Sequence, residues 1–157
     1  MKNIYYYKTD IGRIGIAEEH NHITNAFFET DTCPNQYVVN ETDILREASS
    51  QLYEYLLGKR QTFSVALAPV GTTFMKTVWS CLCNIPYGET KSYKEIAEAV
   101  GNAKACRAVG LANNRNPIPI FIPCHRVIGS NGKLIGYRGG LQTKLQLLEI
   151  EKQYGNF

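Results

Sequence analysis

The chain has 157 residues, 44% of them hydrophobic and 20% charged, which is enough for one ordinary core or two small ones. It has no run of about 18 apolar residues to span a membrane, and its start lacks the apolar stretch of a secretory signal, so a cytoplasmic protein is expected. The formal net charge of +3 divides unevenly: residues 1–70 hold six Lys/Arg against nine Asp/Glu, and residues 71–157 hold eleven against five, so the second half suits either a polyphosphate partner or a solvated basic face.

In chain order, Ile4 to Tyr7, Ile11 to Ala17 and Ile23 to Phe28 read as a β-meander, with Glu18 to His22 as a turn. His20 and His22 fall in that turn, where histidines two apart face solvent more often than they bind a ligand. Thr30 to Asn40 is ambiguous, and Cys33-Pro34-Asn35 argues for loop. Thr42 is the expected N-cap of a helix to about Leu57, with Leu45, Ala48, Leu52 and Tyr55 on one face, Gly58 as the stop and Lys59-Arg60 at the negative end of the dipole. Thr62 to Leu67 alternates as a last strand. A domain boundary is expected next, giving an α/β domain over 1–68, a linker over 69–72 and a second, mostly helical domain over 73–157.

In the second domain, Thr72 or Thr73 can cap a helix whose apolar stripe is Met75, Val78, Trp79 and Leu82. Cys81 and Cys83 lie two apart on that helix and so point to different faces, which argues against a zinc pair. Five cysteines in all, irregularly placed, suit a reducing compartment better than a disulfide framework. After Pro86-Tyr87-Gly88, Ser92-Tyr93-Lys94-Glu95 has the form of a capping box, and Gly101-Asn102 turns the chain into a second helix over about 103–113. Two short helices about a glycine turn in the basic half predict a helix-turn-helix. The second helix turns Ala105, Val109 and Ala112 inward and Ala103, Arg107, Gly110, Leu111 and Asn114 outward. A face so bare of long polar side chains suits close approach to a narrow groove better than major-groove reading.

The prolines at 117, 119 and 123 then lead an irregular path into Cys124-His125-Arg126. A free thiol titrates near pKa ~8.5, and the adjacent histidine and arginine are a base and a cation that could lower that value. Neighbouring side chains on an extended strand diverge, so Cys124 and His125 cooperate only if the chain turns or a water bridges them. On the dipeptide alone, a buried cysteine beside a surface histidine remains the blander alternative.

The run Asn116-Pro117-Ile118-Pro119-Ile120-Phe121-Ile122-Pro123-Cys124-His125-Arg126-Val127 resembles the active-site signature of the O6-alkylguanine-DNA alkyltransferases, the methylated-DNA–protein-cysteine methyltransferases. The likeness extends upstream through Ile85 to Thr90, Ser92-Tyr93 and Arg107-Ala108-Val109-Gly110, and downstream through Gly136-Tyr137, Gly139-Gly140-Leu141, Leu147-Leu148 and Glu151. The resemblance implies a ribonuclease H-like N-terminal domain and a C-terminal domain with a winged helix-turn-helix. It also implies a monomer that binds double-stranded DNA through the minor groove and turns out an O6-alkylguanine, or an O4-alkylthymine, whose alkyl group passes irreversibly to Cys124 in one turnover, with neither cofactor nor metal.

By the same resemblance His125 relays the thiol proton through a water, Glu151 orients His125, and Asn116 fixes the turn beneath the site. Tyr93 donates to guanine N3 and presses on the 3′ phosphate, while Arg107 fills the gap in the base stack. Ser92, Ala108, Gly110 and Arg126 complete the DNA contacts. Tyr137, Arg138 and Gly139 line the base pocket, with Tyr137 and Gly139-Gly140 as a mobile flap; Arg138 stands where some relatives have a small polar residue. The principal alternative is an alkyltransferase-like protein that binds the lesion without transfer, but such proteins replace the cysteine that is intact here. A transcription regulator, or a cysteine hydrolase that turns over repeatedly, is a third reading.

Overall fold

The structure is a computed structural model that describes residues 2–155; the outermost residues of the two expected domains, 1 and 156–157, lie outside them. Strands β1 (Lys2–Thr9), β2 (Gly12–Glu19) and β3 (His22–Phe27) form the meander. A fourth strand, β4 (Val38–Val39), pairs parallel to β1 and gives the sheet order β3-β2-β1-β4. His20 and Asn21, at φ 51 and 62, make the left-handed turn between β2 and β3, and His22 is exposed.

Helix α1 (Asp43–Leu56) packs on the sheet through Leu45, Ala48, Leu52 and Tyr55, all fully buried. Thr42 occupies the N-cap position, yet its side chain makes no capping bond. Gly58, at φ 76, ends the helix as expected and lies against the Tyr154 ring, where a Cβ would clash at 2.3 Å.

Two expectations for this half fail. Thr62 to Leu67 is not a strand; only Leu67 bridges to Ile23, in parallel. Gln51 on α1 accepts from the Ser64 backbone N–H (2.9 Å) and donates to its hydroxyl (2.8 Å), so a side chain holds groups that a ladder would have used. Conversely, the stretch inclined towards loop holds β4. Val38 and Val39 are both exposed, so no apolar alternation announced them.

The second half comprises α2 (Thr73–Cys83), β5 (Lys91–Ser92), α3 (Tyr93–Ala99), α4 (Cys106–Asn114), β6 (Val127–Ile128) and α5 (Leu141–Tyr154). Thr72, rather than Thr73, caps α2, accepting from Met75 N. The capping box at Ser92 and Glu95 forms in both directions. Helix α4 starts three residues later than expected, because Asn102 takes the Lys104 N–H with its side chain (3.1 Å) and the Ala105 N–H with its carbonyl (3.0 Å), holding 103–105 in a turn.

One hydrophobic cluster runs through both halves, from Ile14, Leu52 and Tyr55 to Trp79, Phe121 and Leu147. The Ala26 N–H donates across to the Pro117 carbonyl at 2.9 Å. Among the described residues no helix is long and apolar enough to cross a membrane.

Candidate active site

Asn116 shapes the approach to the cysteine. Its amide donates to Ile122 O (2.8 Å), and its oxygen accepts from Ile118 N (3.0 Å), which closes the proline-rich loop on itself. Inside that loop Ile120 is held at φ 76, a left-handed conformation that costs a β-branched residue about 1–3 kcal/mol. The loop delivers the chain into a single 3-10 turn, Cys124–Arg126. The turn closes with the Arg126 N–H on Pro123 O at 3.0 Å, so the chain is not extended here.

The three side chains of that turn are buried and take different surroundings. Arg126 departs from its expected place facing DNA: its side chain is buried and paired with Glu151 rather than turned outward. Its guanidinium turns inward to Glu151, with Nε to Oε1 at 2.8 Å and Nη2 to Oε2 at 3.1 Å, and Nη1 donates to Ile85 O at 2.7 Å. A buried cation needs a buried anion, and the one within reach is on α5.

The Glu151 carboxylate also accepts from the Gly88 N–H (3.0 Å), from His125 Nε2 (2.6 Å) and from the Tyr55 hydroxyl (2.5 Å). Burial alone would raise its pKa, but the His125 and Arg126 contacts outweigh that and hold it at about 2. Because this ionised carboxylate can only accept, His125 carries its proton on Nε2 and leaves Nδ1 bare. Burial also lowers the His125 pKa against the pull of Glu151, so the imidazole is neutral near pH 7.

Cys124 is not a preformed thiolate. Burial pushes its thiol above the ordinary value, while the Asn116 amide and the charges of Arg138 and Lys144 pull the other way and lose. The nucleophile is therefore a neutral thiol, and the site needs a base at the moment of attack.

Around the sulfur lies a small cavity lined by Phe28, Asn113, Asn116, Tyr137 and Arg138, with a volume of about 10 Å³, room for about one water. Tyr137 and Asn113 of that lining, and His125, each bury a polar atom (Oη, Oδ1 and Nδ1) with no hydrogen-bond partner among the described residues. Such groups cost about 1–3 kcal/mol each when unsatisfied. Tyr137 packs edge-on against Phe28 with ring centroids 5.6 Å apart, and a Cβ on Gly139 would stand 2.7 Å from the same ring. Arg138 donates to Asn116 O (2.9 Å) and Ala26 O (3.2 Å) and lies 3.2 Å from Asp31, so it ties the pocket wall to the first half of the chain.

The outer face of α4 is as bare as its sequence implies. Arg107, Ala108, Leu111 and Asn114 are exposed, Gly110 lies 3.9 Å from Tyr93 as measured to an added Cβ, and Arg107 makes no ion pair among the described residues. Ser92 spends its hydroxyl on the helix cap. Tyr93, half-buried, donates its phenolic proton to Ile135 O at 3.1 Å.

Two site residues escaped sequence reasoning. Tyr55 read as one more member of an apolar stripe, and nothing local distinguishes its hydroxyl. Lys144 is fully buried; its ammonium donates to Val127 O (2.6 Å) and Ile135 O (3.2 Å) and sits 6.0 Å from the Tyr137 ring. A signal for Lys144 existed, since it shares a helix face with Leu147 and Glu151, three and seven residues on.

Comparison with known proteins matches two stretches of the chain to one family. The model of the 6-O-methylguanine DNA methyltransferase ribonuclease-like domain matches residues 4–69, and that of the DNA-binding domain of the same family matches 73–153. The chain is 51% identical over 155 residues to the methylated-DNA–protein-cysteine methyltransferase of Methanosarcina mazei, covering 95% of this chain and 98% of that one. It is 49% identical over 152 residues to the constitutive methylated-DNA–protein-cysteine methyltransferase of Bacillus subtilis, covering 92% of each. Among solved structures, the Mycobacterium tuberculosis OGT in complex with DNA superposes with a TM-score of 0.93 at 42% identity, over 97% of this chain and 94% of that one.

Proposed function

The chain belongs to the 6-O-methylguanine DNA methyltransferase family, and on that premise we propose that it repairs O6-alkylguanine in DNA by moving the alkyl group onto its own Cys124. The observation that carries the residue assignment is a neutral, buried thiol next to a histidine whose Nδ1 is bare and whose Nε2 proton is committed to Glu151. That is the arrangement of a nucleophile with a general base in waiting.

In the proposed reaction DNA binds to the exposed face of α4 through its minor groove, and the damaged nucleotide turns out of the stack at a cost of a few kcal/mol. Arg107 occupies the gap, while the small residues Ala108 and Gly110 let the backbone approach. A purine is far larger than the 10 Å³ cavity, so the segment from Gly136 to Gly140 moves aside to admit it. Gly136 and Gly140, at φ 49 and 93, flank that segment as pivots.

The thiol proton passes to His125, directly or through a water, as sulfur attacks the alkyl carbon. The carbon–sulfur bond forms, the carbon–O6 bond breaks, and the departing guanine takes a proton at N3 from Tyr93, which must release Ile135 to give it. The product thioether has no easy hydrolytic or exchange route back, so each chain acts once, as a monomer. Excess duplex carrying radiolabelled O6-methylguanine is expected to leave one methyl per chain, on the peptide containing Cys124. Several equivalents repaired per chain, or label on Cys33, Cys81, Cys83 or Cys106, would sink the assignment.

A further inference from the structure

We propose that Tyr55, on α1 of the ribonuclease-like half, is a positioning residue for alkyl transfer: its hydroxyl clamps the Glu151 carboxylate so that His125 presents a bare Nδ1 to the reaction. This rests on the transfer reading above. Tyr55 is fully buried; its ring lies edge-on to Tyr87 and His125 and tilted against Phe63, and its oxygen is 2.5 Å from Glu151 Oε2 and 3.1 Å from His125 Nε2. Burial and the Glu151 charge hold the phenol well above its ordinary pKa, so it remains a donor at any working pH.

Glu151 Oε2 is shared by three donors, and the Tyr55 contact is the shortest of them. Taking away that donor leaves the carboxylate more basic and lets it pull harder on the Nε2 proton, which favours the imidazolium and disarms the base. The other groups facing Glu151 and His125 are Arg126 from the 3-10 turn, Tyr87 from the loop after α2, Lys144 from α5 and Tyr137 from the pocket wall. Arg126 and Lys144 oppose a charged His125, and neither can supply the hydroxyl's hydrogen bond to Oε2 in its place.

The test is single-turnover transfer from an O6-methylguanine duplex to the full chain across about pH 5.5 to 9, for the unaltered chain, Tyr55→Phe and Phe63→Leu. Tyr55→Phe keeps the ring and its packing, while Phe63→Leu loosens the same packing and keeps the hydroxyl. Tyr55→Phe should move the rising limb of the rate profile up by about one pH unit, roughly tenfold slower at the acid end and close to the unaltered chain at the alkaline end. A profile superimposable on that of the unaltered chain, uniform slowing at every pH, or the same displacement in Phe63→Leu would each overturn the proposal. Nitrogen-15 shifts of His125 in the free, unaltered protein give a check independent of any variant's folding: Nε2–H with bare Nδ1 is expected, and the opposite tautomer overturns the clamp. Failure of the unaltered chain to transfer at any pH, with that tautomer present, would instead sink the transfer reading itself.

Discussion

The Glu151 network and the outer face of α4 follow opposite rules. Around Glu151 four side chains from three separate segments, Tyr55, His125, Arg126 and Glu151 itself, are sealed from water, and the carboxylate is saturated with donors. On the outer face of α4, Arg107, Ala108, Leu111 and Asn114 are exposed, and Arg107 makes no ion pair among the described residues. A proton relay needs fixed distances and a low dielectric, which burial supplies. A surface that must meet any sequence of duplex needs smoothness and charge. Changes in the first region should therefore act on stability and chemistry, and changes in the second on duplex handling alone.

The sharpest separation comes from Cys124→Ala, which should abolish transfer while duplex affinity, measured by fluorescence anisotropy, stays within about twofold, because the thiol makes no phosphate contact. Arg126→Met comes next. It leaves the buried Glu151 charge without its guanidinium, and denaturant unfolding should register a loss of about 3–5 kcal/mol. A loss under about 1 kcal/mol would place the stability of this region elsewhere.

Arg107→Ala should leave unfolding unchanged and slow transfer from duplex about tenfold, a loss of about 1.4 kcal/mol, while attack on free O6-benzylguanine stays within about twofold. Equal slowing on both substrates would move Arg107 from the DNA face into the pocket.

Stability against pH should form a plateau whose edges belong to the sealed region. Glu151 is depressed from 4.5 to about 2, so its contribution is full above about pH 5 and is lost as pH falls towards 2. His125 is depressed from 6.5, so its contribution is full above that value and declines as pH falls below it. Cys124 is raised from 9.0, and its contribution is full below that value and declines as pH rises beyond it. Resistance to thermal unfolding should thus be highest between roughly pH 6.5 and 9, and Cys124→Ala should extend the alkaline edge. The smallest effect expected is Val39→Lys on the exposed edge strand, within about 0.5 kcal/mol by the same measurement.

Legibility in the sequence followed the kind of information each feature uses. The meander, α1, the capping box and the turn at Gly101 rest on local periodicity and turn chemistry, and all are found in the structure. β4 rests on pairing with a distant strand and shows no apolar alternation; the alternating stretch at Thr62 to Leu67 was overruled by a glutamine eleven or more residues upstream. In the site, Cys124, His125 and Asn116 stand in one continuous motif and were readable together. Arg126 stands in that motif too, yet its direction depends on where α5 places Glu151, which no neighbouring residue encodes. Tyr55 is 70 residues from His125 and 96 from Glu151, and only the closed fold brings them together.

The core that runs unbroken from Leu52 through Tyr55 to Phe121 and Leu147 has a calorimetric consequence. Two domains of one family, matched separately at 4–69 and 73–153, cannot melt separately when each supplies part of the other's interior. Heating should give one endotherm, with the calorimetric and van't Hoff enthalpies equal. Proteolytic nicking in the stretch between Ala68 and Gly71 should leave two fragments that co-migrate through gel filtration, because the bond cut is not the one that holds them together.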